Sequence, residues 1–239
     1  MGTTTVHVED RDAVRRITLD RPPVNALAAD EYAALCHALT IPAAGEAVVP
    51  RVRVVLLRAR GDTFSAGQDL DELRDLTPAA TADHLERATP AVAAAARCPV
   101  PMVSALHAPA VGAGALLVAV SDHVVAAEAA WLAFPEARLG LELGASLLGF
   151  LPPAVAWTSL ATGERLPAPR LHALGSIADL VPSGSAQTVE EVAERRIREL
   201  LTLSDRTLAW LRSLAAPDAR ARAYEAEVRA VVDRLKRTS

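Results

Sequence analysis

Aromatic residues are scarce in this 239-residue chain, at 3%. Its core must therefore rest on Ala, Val and Leu, and at 51% apolar content there is enough material for one sizeable domain, alone or with an appendage. Cysteine is nearly absent. Cys36 and Cys98 form no CxxC, and no His/Cys cluster has metal-ligand spacing, so both read as core or incidental thiols and no metal site is expected. Basic runs are missing too. Net charge is −4 with both signs interspersed, which excludes nucleic acid as a partner. Every apolar stretch is broken by Pro, Gly or charge before ~18 residues, so no membrane span is expected. Residues 1–10 lack a charged-then-apolar leader pattern, and the expected location is the cytoplasm.

What is present alternates between two periodicities. Thr3 to Val8 and Ala13 to Leu19 alternate in polarity around Glu9 to Asp12, predicting a β-hairpin. Arg21-Pro22-Pro23 ends it, and from Ala28 a helical pattern brings Tyr32, Leu35 and Leu39 to one face. Val52 to Leu57 and Val100 to Leu106 read as buried strands, with a further strand at His123 to Ala126. Helices are expected at Asp69 to Leu76, Thr81 to Arg97 and Ala115 to Val120. Strand, turn and helix recurring in this way predict an α/β fold. Near the C-terminus three amphipathic helices follow one another. Thr188 and Glu191 form a capping box for the first, Ser204 caps the second, and the third starts near Asp218. This divides the chain into a core of residues 1–185 and a helical region of residues 186–239, which would pack on the core or on another subunit.

Two glycine-bearing turns each join a buried strand to a helix: Thr63-Phe-Ser-Ala-Gly-Gln-Asp-Leu and Ala110-Val-Gly-Ala-Gly-Ala. A small-residue turn entering a helix leaves backbone N–H groups unpaired and aimed at one point. Two such turns side by side can each donate one N–H to a single carbonyl oxygen, an arrangement that binds more strongly as the oxygen gains charge. Neither turn is a dinucleotide GxGxxG, there is no GxxxxGK[ST] phosphate loop, and Ser65 lacks a GxSxG elbow.

In their order, Arg21-Pro-Pro-Val-Asn-Ala-Leu, Ser65-Ala-Gly-Gln-Asp-Leu, Gly112-Ala-Gly, Ser121-Asp and Phe134-Pro-Glu resemble the enoyl-CoA hydratase/isomerase (crotonase) family over residues 5–235. The resemblance implies a spiral of ββα units with a helical C-terminal region, a homotrimer or hexamer, and an acyl-CoA or acyl-carrier thioester as substrate. Coenzyme A would then be part of the substrate, and no separate cofactor is implied. It also implies that the backbone N–H groups of Gln68 and Ala113 hold the thioester oxygen. Ala26, Ala66, Asp69 and Leu70 would line the coenzyme A path, with Gly67, Gly112 and Leu116 among the substrate-binding positions.

Family hydratases use two glutamates. Here one matching position is Glu136 and the other is Leu116. A single carboxylate beside two N–H donors can move a proton from one carbon to another, as family isomerases do. Three readings follow: an isomerase or related lyase using Glu136, a hydratase in which Glu142 or substrate-derived chemistry replaces the missing glutamate, or a thioester-binding subunit without catalysis. His107 stands where the family has Asn and reads as a hydrogen-bonded core histidine. Asp83, His84 and Glu86 read as a solvated charged face, and Trp131, Trp157 and Trp210 as packing or subunit contacts.

Overall fold

The computed structural model describes residues 5–41, 51–69, 71–72 and 77–238. The predicted hairpin is β1 (Val6–Arg11) and β2 (Val14–Leu19), paired antiparallel with Arg11 opposite Val14. Its turn is tighter than the charge run suggested. Asp12 and Ala13 both take positive φ, the mirror-image geometry that matches strand twist in two-residue hairpins.

A strand of the main sheet, a short strand and a helix then recur. β2 leads to β3 (Ala26–Leu27) and α1 (Ala29–Leu39), and β4 (Val54–Ala59) to β5 (Gly67–Gln68) and α2 (Pro78–Arg97). β6 (Met102–Leu106) leads to β7 (Ala110–Val111) and α3 (Ala113–Ala119). In the fourth turn, β8 (His123–Ala127) and β9 (Trp131–Ala133) precede a 3₁₀ turn, Glu136–Leu139. This is the expected spiral of ββα units. After α4 (Pro153–Thr162), β10 (Leu166–Pro167) and α5 (Ala168–Ala173) comes β11 (Asp179–Val181), and the main sheet runs β1-β2-β4-β6-β8-β11, parallel from β2 onward. Of the helix expected at 69–76, residues 70 and 73–76 lie outside the described residues; Asp71 and Glu72 form a turn.

Both faces of the sheet are covered, which explains the continuous β-branched runs. Side chains alternate along each strand. Val55 and Leu57 join the main core with α1, α2 and α3, whereas Val54 and Leu56 face Val189, Val192 and Ile197 of α6 (Val189–Leu201). The predicted caps are present. The Thr188 hydroxyl accepts from Glu191 N–H while the Glu191 carboxylate accepts from Thr188 N–H, and Ser204 caps α7 (Asp205–Ser213). α8 (Pro217–Arg237) lies against α2 and contributes Tyr224, Val228, Val231 and Val232 to the main core.

One reading of the helical surface is corrected. His84 is 2% exposed, set edge-on against Tyr32, and is not part of a solvated face. α2 has α1 on one side and α8 on the other, so its buried stripe is wide enough to include residue 84. Asp83 and Glu86 are exposed, both next to Lys236. Trp157 and Trp210 are exposed, while the Arg165 guanidinium stacks 4.4 Å over Trp131. Among the described residues no helix is long and apolar enough to cross a membrane.

Candidate functional site

The site begins with two turns pressed together. Phe64 N–H donates to Pro109 O at 2.9 Å and Val111 N–H to Ser65 O at 2.9 Å, stitching the turn after β4 to the turn after β6. Glycine permits the approach. A Cβ on Gly67, whose φ is +80°, would lie 2.4 Å from Val111 O and 3.2 Å from Ala113 N, and one on Gly114 would meet the Ser65 Cβ at 2.5 Å. Ser65 braces the first turn: its hydroxyl donates to Asn25 O at 2.7 Å and accepts from Gly67 N–H at 3.1 Å. Asn25 in turn donates to the carbonyls of Arg60 and Thr63.

Two backbone donors emerge from this packing. In the parallel β3–β5 ladder, Asp69 N–H donates to Leu27 O at 3.0 Å, so Gln68, opposite Leu27, has its N–H on the side away from β3. Ala113 is the first residue of α3, and its N–H has no acceptor within the helix. Both residues line one cavity of about 320 Å³.

Ala66, Gly112 and Glu136 share that cavity wall. Glu136 opens the 3₁₀ turn after β9, is 6% exposed, and has Oε1 3.4 Å from where a Gly112 Cβ would sit. Its Oε2 is buried without a protein partner. Burial pushes the carboxyl from its ordinary 4.5 up to about 7, with its own backbone N–H opposing. A carboxyl of this kind exchanges a proton near neutrality, beside two N–H groups placed to bind an oxygen that becomes negative.

The structure separates other expected site residues from this cavity. Ala26 pairs with Gly67 behind the first turn, and Gly67 itself is buried in the turn packing. Asp69 binds Arg21 at 2.7 Å; burial opposes its ionisation, but Arg21 and the N–H groups of residues 71 and 72 outweigh it and hold the carboxyl below its usual range. Leu70 lies outside the described residues. Leu116 is 1% exposed and packs under Gly144 instead of facing the cavity. Glu142 is 66% exposed, paired with Arg234 of α8 at 2.6 Å, and is not among the residues lining the cavity. His107 is hydrogen-bonded, Nε2 with Gly61 O at 2.8 Å, but it is half-buried and not the core residue expected.

Thr81, Val111, Pro135, Leu139 and Leu141 also line the cavity and were not singled out from the sequence. Leu139 and Leu141 follow Glu136 closely enough for the Phe-Pro-Glu segment to have flagged them. Thr81 arrives from α2 and carries no local signal. A larger cavity, about 830 Å³ between α1, α2 and α8, contains neither of the paired turns nor Glu136. The smaller one is the candidate site, because there a buried carboxyl and the Gln68 and Ala113 backbones line one cavity. Among the described residues no group of three or more His, Cys, Asp or Glu could hold a metal ion.

Comparison with known proteins places the whole fold in a family. The family model described as enoyl-CoA hydratase/isomerase matches residues 9–238. A (7aS)-7a-methyl-1,5-dioxo-2,3,5,6,7,7a-hexahydro-1H-indene-carboxyl-CoA hydrolase of Rhodococcus jostii is 34% identical over 185 residues, covering 76% of this chain and 69% of that protein. Human enoyl-CoA delta isomerase 2 is 26% identical over 195 residues, covering 78% of this chain and 48% of that protein. Among solved structures, an enoyl-CoA hydratase/isomerase from Xanthobacter autotrophicus superimposes with a TM-score of 0.82 at 25% identity, covering 97% of this chain and 87% of the other.

Proposed function

Because the chain belongs to the enoyl-CoA hydratase/isomerase family, we propose that it acts on an enoyl thioester of coenzyme A as an isomerase, with Glu136 as its single acid and base. The Glu136 carboxylate takes a proton from a carbon conjugated, directly or through the double bond, with the thioester carbonyl. The electron pair of the broken C–H bond moves onto the carbonyl oxygen, which accepts hydrogen bonds from Gln68 N–H and Ala113 N–H. Glu136 then returns the proton to the other end of the three-carbon unit, and the double bond has shifted. No water is consumed.

The observation that carries this reading is the environment of Glu136: a buried carboxyl raised to about 7, on the same cavity wall as both backbone donors. Adding water calls for a second acid–base group, and the two candidates are poorly placed. Leu116 is a buried hydrocarbon, and Glu142 is turned to Arg234.

The test is exchange of the α-proton of a saturated acyl-CoA in deuterium oxide. Wild type should exchange, and Glu136→Gln should lose the activity by roughly 10²–10⁴-fold. Thioester binding without exchange in either protein would replace the enzyme by a non-catalytic binding protein. Exchange that survives in the variant would move the base elsewhere. A homotrimer is the assembly we propose alongside it, supported by the exposed Trp157 of α4 (Pro153–Thr162) and the exposed Leu139. Light scattering should give three chain masses, and a monomer would refute it.

A further inference from the structure

The mechanism above uses only the backbone of residue 68, yet the Gln68 side chain is the less easily explained part of that residue. Its Nε2 is buried and has no protein partner, and the same holds for Glu136 Oε2. Both residues line the same cavity, and these two buried atoms, a donor and an acceptor, do not satisfy each other. Buried polar atoms are nearly always hydrogen-bonded, and leaving one unpaired is destabilising. Stable sites tolerate such atoms where a ligand supplies the missing partner.

The chemistry of that partner follows from the amide. A carboxamide nitrogen donates and does not accept, so it calls for an oxygen acceptor. Most of the wall cannot provide one: Ala66, Val111, Pro135, Leu139 and Leu141 offer hydrocarbon side chains. Position narrows the choice further. The amide is four bonds from the Cα whose own N–H meets the thioester oxygen, so it reaches the acyl group only a few bonds from the carbonyl. A plain alkyl chain would press methylenes against an unpaired N–H, and affinity would suffer.

We infer that the Gln68 carboxamide is a specificity-determining group that selects thioesters whose acyl chain carries an oxo or hydroxyl oxygen near the carbonyl. The inference rests on the thioester reading above and adds the substrate class. Glu136 remains the proton carrier, and Gln68 decides which acyl groups are held beside it.

The experiment is equilibrium binding of two probes, pentanoyl-CoA and 4-oxopentanoyl-CoA, by calorimetry. Wild type should bind the oxo compound about tenfold more tightly, the gain of one good hydrogen bond to a group otherwise left unpaired. In Gln68→Leu and Gln68→Met, which keep the backbone N–H and similar bulk, the ratio of the two dissociation constants should fall toward one. A ratio near one in wild type would overturn the inference, whether or not the variants fold. So would a wild-type preference that persists undiminished in both variants. If neither probe binds to wild type, the thioester reading itself fails and takes this inference with it. Equal binding of both probes leaves that reading intact and removes only the role of Gln68.

Discussion

A carboxyl that is 6% exposed, with no cation shifting it, prefers to be neutral, and this preference has a measurable sign. The Glu136 carboxyl titrates at about 7 in the folded protein against an ordinary 4.5. Its folded value is raised, so the stability associated with the neutral form is fully present below about 4.5 and is lost as pH rises through about 7. Glu136→Gln removes that titration. From about pH 4 to about pH 8 the variant should gain on wild type by about 3 kcal/mol, read from denaturant melts at both ends. A difference that stays flat would mean that the carboxyl is solvated. In the proposed reaction the same ionisation sets the rate: proton abstraction needs the carboxylate, so α-proton exchange should rise with pH through about 7. The meeting of Glu136, Gln68 and Ala113 at one cavity was legible through the resemblance carried by the Phe-Pro-Glu segment and the two turns. The raised proton affinity of Glu136 was not legible, because burial depends on a cavity to which Thr81 of α2 and Val111 of β7 come from segments distant in sequence from Glu136.

At the scale of elements, the site is an outcome of two turns packed backbone against backbone. Gly67 and Gly114 read in sequence as turn chemistry, Gly67 also as a substrate-binding position by resemblance, with nothing to show that the two turns touch. In three dimensions each occupies a place where a methyl group would strike the opposite turn, at Val111 O and at the Ser65 side chain. Gly67 also holds φ at +80°, which costs any other residue further strain. Gly67→Ala should therefore destabilise the protein by about 2 kcal/mol or more, through backbone strain and overpacking together. It should also lower activity by at least about 10²-fold, because the displaced Val111 carbonyl is joined through Gly112 to the Ala113 donor. Melting and exchange assays on one preparation separate the two losses. An alanine variant with native stability and activity would show that the turns are not in close contact. The helices were read well wherever a cap or a clean stripe announced them, as at Thr188 and Ser204. α2 was misread at residue 84 because it is buried on two sides, a width that neighbouring charges at 83 and 86 conceal.

Across the whole molecule, the C-terminal helices hold the ends of core elements in place. Glu227 of α8 accepts from Gly144 N–H at 2.7 Å and Ser146 N–H at 2.8 Å, and Arg234 holds Glu142 on the same segment. Sequence periodicity showed that these helices needed partners but could not say which, since each contact joins residues about seventy or more positions apart. Arg212 of α7 is the most deeply placed of these ties. It is 3% exposed and donates to Cys98 O at 2.8 Å and Ala96 O at 2.6 Å, while its Nη1 meets Asp122 at 3.0 Å. Burial raises the Asp122 carboxyl, and Arg212 is the main influence working against that rise. Arg212→Met keeps much of the stem but strands two carbonyls and a partly buried carboxylate, a loss of about 3–5 kcal/mol at neutral pH. Without the guanidinium, Asp122 titrates still higher in the folded state, so the variant is favoured at low pH and weakens as pH rises. The gap between wild type and variant should therefore be widest near neutrality and narrow below about pH 4, where Asp122 is neutral in both. A gap that is constant with pH would assign the whole loss to the stranded carbonyls. A negligible gap at neutral pH would mean that α7 does not depend on this tie to the core.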